Sequence, residues 1–321
     1  MRVRPTNLIV LLAVPAMGAA AAPFVASWHW SLDLLACFPL QATLALAAAA
    51  IALSAARRWR PAILCALAGG LAAGATWRPL PGAIEPLPPP SRAPVLVVAS
   101  LNVLRGNHAN ADRALAAVEH ERPDVVFCSE VTAEWLERLA AGLPDFPHRC
   151  TKPDPGYYGA ALFSRWPLRS AEAVPLGSPR TPAIRAIVDA PGGAIGLLCV
   201  HTPRPGNAER AANLSRALAD VPDALAPLPA ARVVLGDFNA TPWNAGFRTM
   251  LPRAGLNGGS ANGLVPTWPA HAPWPLRVPI DHVLCSPPLH VADARTGPSF
   301  GSDHLPLFAT ILRSADDPQR R

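Results

Sequence analysis

The chain has 321 residues, of which half are hydrophobic, 16% are charged and 39 are prolines, and its mean hydropathy is positive at +0.21. That apolar content excludes an intrinsically disordered chain, and the absence of an internal repeat excludes collagen and long coiled coils. The net charge of +6 is unevenly placed: the first 91 residues carry six arginines against Asp33 and Glu85, whereas residues 92–321 carry 22 basic and 20 acidic groups. The basic balance is therefore a membrane-flank signature and not the footprint of a nucleic-acid-binding face.

Between Pro5 and Ala56 the only charged residue is Asp33. Three apolar runs, Leu8–Trp28, Leu34–Ala56 and Pro61–Trp77, predict about three transmembrane helices. The first two reach the roughly 20 residues that cross a hydrocarbon core, and the third is at the short end of the range. Trp28, Trp30, Trp59 and Trp77 lie at the ends of the runs, where amphipathic rings favour the interface. Arg2 and Arg4 before the first run, and Arg57, Arg58 and Arg60 between the second and third, mark the cytoplasmic side. A multi-pass protein of the cell inner membrane is expected, with everything beyond Trp77 periplasmic. Cleavage of residues 1–22 as a signal peptide leaves the same final side.

The expected organisation is a membrane anchor over residues 1–78, a linker over 79–94, a domain over 95–313 and a flexible tail over 314–321. Seven prolines between Arg78 and Pro94 favour extended polyproline geometry and make the linker a semi-rigid spacer.

Within the domain, Val95–Val103 reads as an apolar strand and Ala109–His120 as a helix. Asp124–Glu130 is a second strand, followed by a helix over Thr132–Ala141 with Thr132 as its cap. Strands are expected at Gly159–Ser164, Ala183–Ala190, Ala194–His201, Arg232–Asp237, Pro279–Cys285 and Leu305–Leu312, with a helix at Ala208–Asp220. Trp166–Pro182 and Pro266–Pro279 read as long loops. Such alternation fits one α/β domain with two packed sheets and outer helices. The six cysteines include no C-x-x-C pair, which argues against zinc and for buried thiols.

Several strands end in residues that apolar packing does not want: Asn102, Glu130, His201, Asp237 with Asn239, Asp281 with His282, and Ser302–Asp303–His304 before the last strand. A single Asn or Asp after a strand is usually a turn residue; six such positions are harder to ascribe to turns. Carboxylates and amide oxygens are hard ligands suited to Mg²⁺ or Mn²⁺. An Asp–His pair makes a general base, and a second His with an Asn stabilises charge on phosphate oxygens. Together this is equipment for metal-assisted attack of water on a phosphoester.

Asn102 in SLNV, Glu130 in SEV, YYGAALFSRWPL from Tyr157, His201 in HTPRP, GDFNATPW from Gly236, IDHVLCS from Ile280 and GSDHLPL from Gly301 resemble the endonuclease/exonuclease/phosphatase superfamily over roughly residues 95–313. The resemblance implies a four-layered α/β/β/α sandwich (DNase I-like) with pseudo-twofold halves, preceded here by a transmembrane helical region. It implies Glu130 and Asn102 as metal ligands, with Asp303 as a metal or orienting carboxylate. His304 resembles the base that activates water and Asp281 its partner. Asp237 and Asn239 resemble the pair that positions the nucleophile or leaving oxygen, and His201 the phosphate-binding histidine. Tyr157 or Tyr158 supplies a phenolic contact, and Arg204 is a substrate-binding candidate. The family often has Gln before the glutamate, where this chain has Ser129. His120, His148, His271 and His290 sit in no motif, and strand alternation turns His282 away from Asp281.

The expected function is a membrane-tethered, metal-dependent phosphodiesterase or phosphatase, with nuclease activity within its scope. Its substrate is a nucleic acid, a phospholipid headgroup or a soluble phosphoester. The lipid bilayer is engaged through the N-terminal helices, and no protein partner is implied. The alternative of a different class is a catalytically silent, membrane-anchored binding module of the same fold.

Overall fold

The structure, a computed structural model, describes residues 5–81 and 94–314. Arg2, Arg4, Glu85, most of the expected linker and the tail beyond Ser314 lie outside the described residues. The chain divides into two compact units: Met1–Pro79 with Pro242–Arg248, and Leu80–Thr241 with Thr249–Arg321.

The first unit is helical: α1 (Pro5–Val25), α2 (Trp30–Leu35), α3 (Pro39–Ala55) and α4 (Trp59–Thr76). The second apolar run is interrupted between Leu35 and Pro39, because a proline lacks the N–H that would continue a helix yet suits the first turn of a new one. As a result α3 has 17 residues. It ends where Arg57 adopts φ 59° and the Arg58 N–H reaches back to the Leu53 carbonyl at 2.8 Å, a left-handed cap that satisfies a terminal carbonyl. Among the described residues one helical stretch, Thr6–Trp28, is long and apolar enough by length and composition to cross a membrane. The interior between α1, α3 and α4 is built of small groups, including Ala13, Ala20, Ala42, Ala62 and Ala72, around Leu46 and Leu53. Large apolar side chains such as Leu11, Leu12, Ile51 and Leu67 are exposed.

The second unit carries two mixed sheets. The six-stranded sheet comprises β1 (Leu96–Asn102), β2 (Val125–Ser129), β3 (His148–Lys152), β4 (Ala160–Ser164), β10 (Leu289–Thr296) and β11 (Leu307–Arg313) in the order β10-β11-β1-β2-β4-β3. The five-stranded sheet runs β5 (Leu168–Pro175), β6 (Pro182–Ala190), β7 (Gly193–His201), β8 (Arg232–Asp237) and β9 (Asp281–Cys285). Each sheet has a central parallel pair, β1–β2 or β7–β8, flanked by antiparallel neighbours. The two halves thus repeat one plan.

Strand alternation sorts the side chains into layers. Leu96 and Val98 of β1 and Val125 and Phe127 of β2 enter the core shared with Leu197, Cys199, Val233 and Leu235 of the other sheet. Ala99, Leu101, Val126 and Cys128 face the opposite way, onto Ala114 and Val118 of α5 (Ala111–Glu121) and Trp135 of α6 (Ala133–Gly142). The amphipathic α7 (Ala208–Leu225) buries Leu214, Leu218 and Val221. Two sheets packed face to face with flanking helices form the α/β sandwich.

Besides α2 and short 3-10 turns, β3, β5, β10 and α8 (Ala245–Arg253) were not legible in the sequence. The three strands lie at sheet edges. β5, inside a segment read as loop, exposes most of its residues, so no apolar alternation marks it. All six cysteines are free thiols.

Thr132 accepts the Trp135 N–H at 3.3 Å and so caps α6. Thr132→Ala is expected to cost about 1 kcal/mol, which lowers the melting temperature by about 2–4 °C. An unchanged melting curve would show that the cap contributes nothing.

Candidate active site

The carboxyl ends of the two parallel pairs carry the polar groups. Asn102 faces Ser129 across β1 and β2, and His201 faces Asp237 across β7 and β8. Asp237 in turn faces Asp281 at the start of β9. Gly236 is required here: its φ is +140°, and a Cβ would lie 1.9 Å from the Val200 carbonyl oxygen. The motif's glycine therefore lets β8 pack against β7 just before Asp237.

Asn102 joins the two halves. Its Nδ2 donates to Glu130 Oε1 at 3.3 Å and to Asp237 Oδ2 at 3.1 Å. Glu130 Oε2 accepts the Arg105 backbone N–H at 3.2 Å. Asp237 Oδ2 also lies 3.6 Å from His201 Nε2 and 3.7 Å from His304 Nε2. Asn102, Glu130, His201, Asp237, Asp281 and His304 are all buried.

The His304 ring is fixed from behind. Its Nδ1 bonds Asp281 Oδ2 at 2.8 Å, and the same oxygen accepts the Thr267 hydroxyl at 2.5 Å. Ser302 secures the loop by donating to the Asn102 carbonyl at 2.7 Å while accepting the His304 N–H at 3.1 Å. Burial works to lower the His304 pKa, but the Asp281 and Asp237 charges and the Asp281 hydrogen bond outweigh it and raise the value to about 10. Burial pushes the Asp237 carboxyl up, against the pull of the two imidazoles and the Asn239 N–H.

Asn239 sits at φ 44° with its Nδ2 donating to the Thr202 carbonyl at 2.8 Å and its N–H to Asp237 Oδ1 at 2.8 Å. Thr202 donates its hydroxyl to the Phe238 carbonyl. Tyr158 stacks obliquely on His201 with centroids 5.9 Å apart, and burial raises its phenol pKa. Tyr157 is exposed beneath the Arg105 guanidinium, 4.3 Å from the ring centroid. Asp303 Oδ2 accepts Trp268 Nε1 at 3.2 Å, and Arg204 lies 5.4 Å over the Trp268 ring. Arg165 and Arg185 are paired instead with Asp145 and Glu172. Thr267 and Arg105 were not singled out in the sequence as site residues; Thr267 precedes Trp268 in the Pro266–Pro279 loop, and that adjacency was the available signal.

The donors suit a hard divalent cation. Asp237, Asp281 and His304 offer ligand atoms within 4.8 Å of one another. Asp281 Oδ2 and His304 Nδ1 are already spent on each other, so a cation among these three would have Asp237, Asp281 Oδ1 and His304 Nε2 to bind. Glu130 Oε1 and Oε2 accept Asn102 Nδ2 and the Arg105 N–H, and Asn102 Oδ1 accepts the Leu104 N–H at 3.1 Å, so each oxygen would meet a cation with its remaining lone pair. Two acidic side chains share the single Asn102 amide there, an arrangement that a cation's charge would stabilise.

A family model described as Endonuclease/Exonuclease/phosphatase matches residues 99–304, and the chain belongs to that family. An endonuclease/exonuclease/phosphatase from Beutenbergia cavernae is 22% identical with TM-score 0.56, covering 69% of this chain and 72% of that one. Danio rerio TDP2, solved with a single-strand DNA product, is 20% identical with TM-score 0.57 over 67% and 98% of the two chains. Sphingomyelinase C from Streptomyces griseocarneus is 18% identical with TM-score 0.52 over 68% and 99%. These likenesses carry the DNase I-like fold. No curated protein matches. The class defined by family, fold and site is a phosphoester hydrolase.

His282 lies on the opposite side of β9 from Asp281. It is buried, bonds the Ala240 carbonyl through Nε2 at 2.9 Å and meets Phe238 edge-on. Burial lowers its pKa to about 4. The unfolded chain takes up this proton near pH 6.5 and the folded chain only near 4, so its contribution, about 3 kcal/mol at most, is present above pH 6.5 and lost as pH falls to 4. His282→Gln keeps an amide donor without the titration. It should flatten the fall in melting temperature between pH 6.5 and 4, and equal slopes would refute the assignment.

Proposed function

We propose that the chain is a membrane-tethered, divalent-metal-dependent phosphoester hydrolase in which His304, oriented by Asp281, activates water. The observation that carries this reading is the buried chain Thr267–Asp281–His304, with the His304 Nε2 side turned toward Asp237. Glu130 with Asn102 would hold the cation (Mg²⁺ or Mn²⁺), whose charge stabilises the extra negative charge that develops on the phosphoryl oxygens.

The chain's own residues do the rest. The Asp281 and Asp237 charges that raise the His304 pKa would be opposed by the cation's charge. That leaves Nε2 able to take a proton from water as the new O–P bond forms, while Asp281 keeps the Nδ1 proton in place and stabilises the imidazolium. Asp237 and Asn239 orient the water and the phosphoryl group. His201 donates to a phosphoryl oxygen. The ester P–O bond breaks, and the leaving oxygen gains a proton from His304 or solvent. Tyr158, stacked on His201, is better placed than Tyr157 for a phenolic contact, and Asp303 acts through Trp268 and the His304 field.

The membrane part of the reading rests on an inverted packing order. Among the described residues, fifteen of the eighteen exposed large hydrophobic side chains lie in residues 5–77, while the interior of that unit is mostly alanine. Water would favour the reverse, and small residues between helices with large ones outward suit lipid. Three spans and a periplasmic domain follow from the arginine placement, and a reporter fused after Arg321 tests them: active alkaline phosphatase and dark green fluorescent protein are expected. Among similar folds, TDP2 was solved with a single-strand DNA product and the Streptomyces protein is a sphingomyelinase C. Near-neutral charge over residues 92–321 disfavours tight binding of long nucleic acid.

With bis(p-nitrophenyl) phosphate, DNA, RNA and sphingomyelin vesicles as substrates, EDTA should abolish hydrolysis and Mg²⁺ or Mn²⁺ restore it. His304→Ala should lower turnover about 10²–10⁴-fold. Asp281→Asn should also be slow, and the double variant should lose much less than the product of the two. Activity indifferent to chelation, or fully multiplicative losses, would overturn the mechanism.

A further inference from the structure

Asp33 is an expensive residue to keep. It is the one charge in more than fifty residues, in a unit whose other groups are overwhelmingly apolar, and a carboxylate there requires compensating partners. Its partners are backbone and amide groups of Pro242–Arg248, seven residues that belong to the same compact unit. Asp33 Oδ1 accepts the N–H of Ala245, the first residue of α8, at 2.7 Å. The Asp33 carbonyl accepts Asn244 Nδ2 at 2.6 Å.

Further contacts hold the same seven residues. Cys37 Sγ donates to Asn244 Oδ1 at 3.4 Å, Trp243 Nε1 to the Thr76 carbonyl at 3.2 Å, and Arg248 Nη2 to the Pro79 carbonyl at 2.7 Å. Ala245 packs against Ala22, Ala26 and Ala36. The arrangement satisfies both sides: the carboxylate gains a helix N-terminus, which favours negative charge, and α8 gains an acceptor for one of its unpaired N–H groups.

Only Ala240 and Thr241 separate Asn239 from Pro242. We infer that Asp33 is a positioning residue: through Asn244 and Ala245 it fixes the chain where it leaves the loop carrying Asp237 and Asn239. Asn239 is held at φ 44° by its bonds to the Thr202 carbonyl and Asp237, and such a conformation persists where the loop's surroundings over-determine it. The His201–Asp237 pairing of β7 and β8 fixes one end, and Asp33 fixes the other.

The test uses the full-length chain in detergent micelles, with hydrogen exchange read by mass spectrometry and hydrolysis of bis(p-nitrophenyl) phosphate read beside it. Asp33→Leu should speed exchange across residues 240–248 about tenfold or more and leave β1 and β7 unchanged. It should lower kcat several-fold with little change in KM. Asp33→Asn, which retains an Oδ1 acceptor, should restore most of both. Trp243→Phe, which removes the bond to Thr76, should loosen the same segment without touching Asp33. Exchange over 240–248 indifferent to Asp33→Leu, or loss of protection spread over the whole chain, would overturn the assignment. Because exchange needs no substrate, a chain that proved inactive would leave this test standing.

Discussion

Asp237 is almost completely buried, 1% exposed, and the placement of its neighbours follows from that. A carboxylate removed from water costs several kcal/mol unless donors surround it. Here the donors come from different parts of the domain: Asn102 Nδ2 from the end of β1, His201 Nε2 from the end of β7, the Asn239 N–H from its own loop and His304 from the segment before β11. The two sheets must therefore meet with the ends of their parallel pairs in register. A one-residue slip in β1 or β7 would turn Asn102 or His201 to the opposite face and leave the charge without partners. The packed core sets the distance between the sheets, and this carboxylate selects which residues meet at their rim.

The two halves divide the chemistry. The β1–β2 pair ends in Asn102 and Glu130, which offer oxygen. The β7–β8 pair ends in His201, Asp237 and Asn239, which offer donors and a proton-accepting carboxylate. Glu130 and Asn239 both stand just beyond the second strand of their pair, and both have left-handed backbones, φ 61° and 44°. A non-glycine residue in that conformation costs on the order of 1 kcal/mol. Glu130 follows β2 directly and Asn239 stands two residues beyond β8, and each bonds a group at the strand ends, Glu130 with Asn102 and Asn239 with the Thr202 carbonyl.

The legible part of the fold was the part whose signal is local. β1, β2, β7 and β8 are buried on both faces, and their unbroken apolar runs were visible in the sequence. Asn102, Glu130, His201 and Asp237 stood out because a polar residue after such a run has no packing reason to be there. β3, β5 and β10 escaped because edge strands are half solvated, and their residues carry no alternation. Thr267 escaped for another reason: its hydroxyl matters only because a loop folds it onto Asp281, fourteen residues away. The choice between Tyr157 and Tyr158 likewise needed the backbone, since neighbours in an extended segment point in opposite directions. The interruption of the second apolar run was written in Pro39, a residue whose effect on an apolar stretch hydropathy does not register.

Asp33 shows how a sequence can display a residue without revealing its reason. In the sequence it stands as the sole charge between Pro5 and Ala56. The structure gives it a partner set, 211 and 212 positions away, in Asn244 and Ala245. Those residues follow directly on the GDFNATPW motif, whose tryptophan also lies in the N-terminal unit through its bond to Thr76. The motif therefore serves two physical ends within a few residues. Its first half places Asp237 and Asn239 under strain at the rim of the sheets, and its second half gives the chain an external fixed point. The left-handed Asn239 is thus held from both sides, by its own bonds to the Thr202 carbonyl and Asp237 and by the anchored segment that follows it.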